Sequence, residues 1–246
     1  MRSRALLTLV ALLAGLAAAG PADARPQFTP GLVSTANYGL STQAADRLGA
    51  PVVRVEFDIE TPPAAMRGTV RAFALAGARP LLLAGFHERM PTEAEARNLG
   101  RWAAAFGRNG RFWKHRPRLR RLPVRHIEFG NETSYGPQFG DSYLDQSYRD
   151  RAELYAIRFV HARRSMHHHV GLLAQADDGG TGSSVWVRHM FAAVPHLGQW
   201  VGGWTVHPFG PARQWRPKLL RVIEQTNAVG ARRNIPIDIT EYGISS

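Results

Sequence analysis

Ile127-Glu128-Phe129-Gly130-Asn131-Glu132 reads as a sheet-forming run that stops at a turn with a carboxylate on it. About a hundred residues on, Ile237-Asp238-Ile239-Thr240-Glu241-Tyr242-Gly243 repeats the layout. A strand that ends on a glutamate puts that carboxylate at the edge of a sheet, where a cleft can use it. Two of them, Glu132 and Glu241, on separate strands suggest a paired-carboxylate site for breaking a glycosidic bond.

Working outward from these two runs, strands and helices alternate. Strands are predicted at Leu32–Ser34, Val52–Phe57, Pro80–Gly85, Val124–Phe129, Val170–Ala174, Trp200–Val206 and Ile235–Thr240. Helices are predicted at Ala64–Ala76, from a Thr92 cap to Phe106, and at Ser147–Met166, Val185–Ala193 and Pro217–Val229. Glu95, three residues after Thr92, makes that start a capping box. Such alternation calls for parallel strands with crossover helices. Seven strands at intervals of roughly 20 to 45 residues favour a (β/α)8 TIM barrel over an open, doubly wound sheet. No glycine-rich phosphate loop follows the first strand, which removes the usual signature of the open sheet. A closed barrel has eight strands, so the reading is of an incomplete barrel, with strand 8 expected beyond Ser246.

The first residues are a separate object. Arg2 and Arg4 precede an apolar run from Ala5 to Ala19, and Ala22-Asp23-Ala24 offers small residues for cleavage. This is the layout of a secretory signal peptide over residues 1–24, with an uncleaved anchor as the alternative. The barrel domain would occupy 25–246, and a secreted, extracellular location is expected. No later run is long and apolar enough to hold the chain in a membrane.

The chain has 246 residues and no cysteine, which excludes thiolate catalysis and cysteine zinc sites. Its formal net charge is +12, and 29 of the 31 cationic residues are arginine. The densest run, Arg108 to Arg125, is either a solvated helix end and connection or a contact for an acidic polymer or cell envelope. No nucleic-acid-binding motif is present, so no nucleic-acid partner is expected. Adjacent histidines at 167–169 point in different directions and do not make a metal site. No metal or other cofactor is expected.

Asn131-Glu132 and Thr240-Glu241 resemble the strand-four and strand-seven ends of the clan A glycoside hydrolases. Glu128-Phe129-Gly130-Asn131-Glu132 is similar to the strand-four signature of families 39 and 51, and Thr240-Glu241-Tyr242 to the family 39 nucleophile strand. The resemblance implies a retaining hydrolase with Glu132 as acid/base and Glu241 as nucleophile. It implies that Asn131 binds the sugar 2-hydroxyl, that Arg54 holds the nucleophile carboxylate, and that His207 lies near it. His87 stands where some members place a subsite histidine. Two departures are visible. Phe209 occupies a position where many relatives have tyrosine, and Thr133 stands where family 39 usually has proline. Trp204, Trp215 and Tyr135 are candidates for stacking on sugar faces, or for packing. The expected partner is a carbohydrate. A non-catalytic relative that binds carbohydrate or cell envelope is the alternative.

Overall fold

The computed structural model describes residues 29–34, 37–114, 116–119, 122–135, 147–167, 169–177, 185–229 and 235–241. The leader read at 1–24 and Tyr242 lie outside these residues. Among the described residues, seven strands form one sheet: β1 (Gly31–Val33), β2 (Val52–Asp58), β3 (Arg79–Gly85), β4 (His126–Phe129), β5 (Gly171–Asp177), β6 (Gly203–Val206) and β7 (Ile237–Ile239). They lie side by side in chain order, and every neighbouring pair is parallel. Between them run α1 (Tyr38–Leu48), α2 (Arg67–Leu75), α3 (Glu93–Arg97), α4 (Leu99–Phe106), α5 (Tyr148–Ser165), α6 (Trp186–Ala193) and α7 (Ala212–Ala228). This is the predicted incomplete (β/α) barrel. Among the described residues, no helix is long and apolar enough to cross a membrane.

The curl of the sheet follows from one contact. In a flat sheet, β2 and β7 would stand five spacings apart, about 24 Å. Yet the Arg54 side chain on β2 reaches the Glu241 carboxylate, just after β7, at 3.1 Å. The sheet must therefore wrap, and the side chains on its concave face meet.

Period-two alternation decides which side chains those are. On β2, Val53, Val55 and Phe57 are buried outward beneath the helices, and Phe57 stacks on Trp102 of α4 with ring centroids 3.6 Å apart. On β4, Ile127 and Phe129 face out, and the Phe129 ring meets Tyr155 and Phe159 of α5. Arg54 and Glu128 have the opposite parity and point into the wrap. The concave face is thus unusually polar: Arg54, Glu128, Gln175, Thr205, His207 and Thr240 are all buried.

Several element boundaries differ from the sequence reading, for local reasons. Helix α1 was not foreseen; Asn37 caps it, its side chain accepting from the Leu40 N–H, and Gly49 ends it in the left-handed region. Helix α2 starts at Arg67 because the preceding segment makes turns after Pro62 and Pro63. The predicted single helix after Thr92 is split at Asn98, whose backbone stays helical, so α3 and α4 are nearly continuous. The Thr92–Glu95 capping box forms. Helix α7 begins at Ala212 and carries Pro217 within it, rather than starting there. Its entry is held by Trp215 donating to the Gly210 carbonyl at 2.9 Å and by Lys218 donating to Phe209.

Candidate active site

All strands point the same way, so their C-terminal ends gather at one mouth. There β4 does not simply stop. Gly130 has φ +79°, and a Cβ at that position would collide with Thr133 and the Phe86 ring. Two residues later Glu132 itself has φ +45°, a conformation costly for a residue with a side chain. Together these turns lift the chain off the strand and carry Glu132 over the mouth. The buried Thr133 N–H donates to Gln175 Oε1 at 3.0 Å, which ties the turn to β5.

A second tie lies beneath it. The Tyr155 hydroxyl, from α5, donates to the Phe129 carbonyl at 2.8 Å and accepts from the Gln175 N–H at 2.9 Å. It bridges the ends of β4 and β5 where the register of β5 against β6 is interrupted between Gln175 and Asp177. Tyr155→Phe leaves a buried carbonyl and a buried N–H without that partner, so it should cost about 1–3 kcal/mol. Denaturant unfolding with an unchanged m-value checks this; no loss of stability would show that the bridge is dispensable.

Seven side chains from four strands and the turns that follow them converge at the mouth. Arg54 is the hub: Nε donates to Glu128 Oε2 at 2.7 Å, Nη1 to Glu241 Oε2 at 3.1 Å, and Nη2 to Asn131 Oδ1 at 2.7 Å. A guanidinium only donates, so it sets Asn131 with its oxygen toward Arg54 and leaves the amide NH2 as the donor. The Thr240 hydroxyl donates to Glu128 Oε1 at 2.9 Å. Having spent its one proton there, it must accept from His207 Nε2, 3.0 Å away. That fixes Nε2 as a protonated nitrogen and turns Nδ1 toward Glu132 Oε1, at 3.3 Å. Arg54 Nη2 also lies 3.4 Å from Nε2; both are donors, and the nearby Glu128 carboxylate offsets that approach.

The electrostatics follow from the burial. Burial pushes the Glu128 carboxyl up, but the Arg54 charge and hydrogen bond, with His207 close by, outweigh it and hold it down at about 2. Burial pushes His207 down, but the Glu128 and Glu132 carboxylates beside it win, and its pKa is raised. Each shift has a consequence for stability. Glu128, depressed in the fold, stabilises it above the ordinary carboxylate range, and that contribution is lost as pH falls toward 2. His207, raised in the fold, stabilises it below the ordinary histidine value, and that contribution is lost as pH rises through the raised value. Unfolding free energy measured from pH 5 to 9 should therefore fall on the alkaline side, and His207→Asn should flatten that fall. An unchanged slope in the variant would exclude His207 as its source.

The structure brings together Arg54, Asn131, Glu132, His207 and Glu241 from the sequence-predicted set. His87 is not among them: it is exposed at the rim, where Nε2 lies 2.9 Å from Glu56 Oε1. Tyr135 is also outside the cluster, at an exposed loop position. Trp204 has to be corrected. It is 1% exposed and packs outward against Phe191 of α6, so no sugar can stack on it. Parity explains this, because Trp204 alternates with Thr205 and His207 and takes the opposite face. Trp215 is buried too. Two members of the cluster, Glu128 and Thr240, had no role assigned from sequence. The available signal was the same parity: a glutamate between two outward apolar residues must face inward and needs a cation there.

One oxygen each from Glu132 and Glu241, and a nitrogen of His207, lie within 4.8 Å of one another. Three such atoms could hold a cation. However, Arg54 already donates to Glu241 and the His207 ring already faces Glu132, so a metal would have to displace both contacts. The same spacing suits two carboxylates acting on opposite sides of one bond; retaining glycosidases keep them about 5–5.5 Å apart.

No protein-family model matches the chain, and no curated protein matches it. Among solved structures, the fold is similar to that of a glucosidase from Croceicoccus marinus, with a TM-score of 0.60 at 10% identity over 89% of this chain and 52% of that one. It is also similar to fungal β-1,4-galactanases, with a TM-score of 0.57 at 10% identity over 87% of this chain and 73% of that one. The chain thus spans about half the length of the glucosidase. At such identity the likeness is one of fold, and the fold is the barrel on which those glycosidases are built.

Proposed function

We propose that the chain is a secreted retaining glycoside hydrolase of the clan A type, closest in its motifs to families 39 and 51. One observation carries the reading: Glu132 and Glu241, at the ends of β4 and β7, present carboxylate oxygens within 4.8 Å of each other across a mouth organised by Arg54 and His207. In this reading a glycan lies between them. Glu241 attacks the anomeric carbon while Glu132 protonates the departing oxygen, giving a glycosyl ester on Glu241. Glu132 then takes a proton from water, and the water oxygen displaces the ester.

The surrounding groups divide the work. Arg54 orients Glu241 and offsets its charge. The Asn131 amide NH2 is placed to donate to a sugar hydroxyl. His207 Nδ1 faces Glu132, so one proton can sit on either atom, which matches a carboxyl that must give and regain a proton in each cycle. No step requires a metal. Chelator treatment should leave turnover unchanged, and loss of activity restored by a divalent cation would favour the cation-site alternative.

The test is hydrolysis of a panel of aryl glycosides and neutral glycans, with the anomer of the first-formed sugar followed by NMR. Retention of configuration is expected. Inversion would remove the nucleophile role of Glu241. Binding of glycans without turnover by the wild type would favour a carbohydrate-binding relative.

A further inference from the structure

The arginine-rich run finds no use in the site above, and its place in the fold gives it one. Parallel topology sends every strand-to-helix connection to the mouth and every helix-to-strand connection to the opposite end. The helix-to-strand connections (residues 49–51, 76–78, 107–125, 166–170, 194–202 and 229–236) contain no Asp or Glu. The longest carries Arg108, Arg111, Lys114, Arg116, Arg118 and Arg125. At the mouth the balance is reversed. Glu60, Glu88, Glu132 and Glu241 lie in the segments that leave the strands, Asp58 and Asp177 end β2 and β5, and Arg89 there is already paired with Glu60 and Glu95. The charge is therefore segregated along the barrel axis, with an acidic mouth and a basic base.

The base is not flat. A groove of about 490 Å³ is lined by Arg71 and Leu75 of α2 and by Arg116, Pro117, Arg118 and Leu119. Among the described ion pairs, none involves Arg71, Arg116 or Arg118. Arg116 is held in place, donating to the Phe112 carbonyl at 2.7 Å and lying 4.4 Å over the Phe112 ring. Guanidinium forks match carboxylates, and a floor of Leu75, Pro117 and Leu119 suits the C–H face of a sugar ring. A groove of this size is in the range that takes a short oligomer rather than a single small anion. None of the described residues that line the groove is aromatic, so it offers no ring for stacking nucleic-acid bases.

We propose that this basic end binds an acidic, uronate-bearing polysaccharide in the groove, anchoring the protein with its mouth turned away from the anchor. The site is separate from the glutamate pair and does not depend on what that pair does.

Binding to polygalacturonate, measured by affinity electrophoresis or titration calorimetry, tests it. The wild type should bind, and binding should weaken steeply between low and high salt. Arg71→Gln/Arg118→Gln keeps Arg116 and its packing in place. It should lower the affinity by at least about tenfold, the loss of two charged forks. Its melting temperature and its activity on neutral glycosides should be unchanged. Equal affinity in the variant would overturn the groove. Binding to single-stranded DNA or phosphatidylglycerol vesicles as tight as to polygalacturonate, and equally sensitive to the two substitutions, would overturn the specificity for a uronate chain.

Discussion

Truncating Glu128 to alanine should lower the stability of the fold by about 3–5 kcal/mol, the cost of breaking a buried ion pair and leaving Arg54 with only the partly exposed Glu241 carboxylate. Glu128 has no exposure to solvent, and its partner Arg54 is 5% exposed, so water cannot replace the lost carboxylate. Against a total stability of about 5–15 kcal/mol for a domain, that is a large share. The Thr240 hydroxyl also loses its acceptor and becomes free to donate to His207 Nε2, which reverses the tautomer that faces Glu132. Activity should therefore fall even in the molecules that stay folded. Glu128→Gln separates the two effects. It keeps the volume and one acceptor, so it should unfold at a temperature nearer the wild type, while the pH profile of kcat shifts because His207 has lost a charge partner. Denaturant melts of both variants, with pH–rate profiles of the folded protein, check this. Wild-type stability in Glu128→Ala would mean that the Arg54 network is not what holds the mouth together.

The second large effect concerns the two glutamates at the mouth. Glu132→Gln removes general acid–base help, which typically contributes about 10²–10⁴-fold in rate. The loss in kcat/KM should be severe for sugars with poor leaving groups and small for activated aryl glycosides, whose departing oxygen needs no proton, while kcat falls on both because the glycosyl ester loses its base. Glu241→Gln should abolish turnover on both kinds of substrate, because an amide forms no glycosyl ester. Comparing kcat/KM for the two variants on activated and unactivated glycosides separates the roles. Equal losses of kcat/KM on both substrates in Glu132→Gln would contradict its role as the acid, and full activity in Glu241→Gln would remove it as the nucleophile.

Much of this arrangement could be read before the structure. The barrel was legible because buried parallel strands such as Pro80–Gly85 are continuously apolar and are separated by helices with clear caps, as at Thr92. The convergence of Asn131, Glu132, His207 and Glu241 was legible because each stands at or just after the C-terminal end of a strand, and Arg54, within β2, joins them through the length of its side chain. What stayed hidden was geometry across the wrap. Nothing local to Glu128 says that Arg54, two strands away, will reach it at 2.7 Å. Nothing local to Thr240 says that it will lie between Glu128 and His207. Trp204 was misjudged for a different reason. Aromatic character was weighed ahead of strand parity, and parity with His207 places that ring in the helix layer. Helix α1 was missed because it buries little, Ala45 being its one buried residue, and its clearest signals are the Asn37 cap and Gly49 stop.

Covalent trapping with fluorosugar inhibitors addresses the central claim most directly. A panel of 2-deoxy-2-fluoroglycosyl fluorides slows the second step more than the first, so a retaining enzyme accumulates its ester. Peptide mass spectrometry of the reacted protein should then place one fluoroglycosyl group on Glu241 and none on Glu132. An adduct on another residue, or hydrolysis of aryl glycosides with no adduct from a fluorosugar of the same configuration, would contradict the pairing of Glu241 as nucleophile with Glu132 as acid/base.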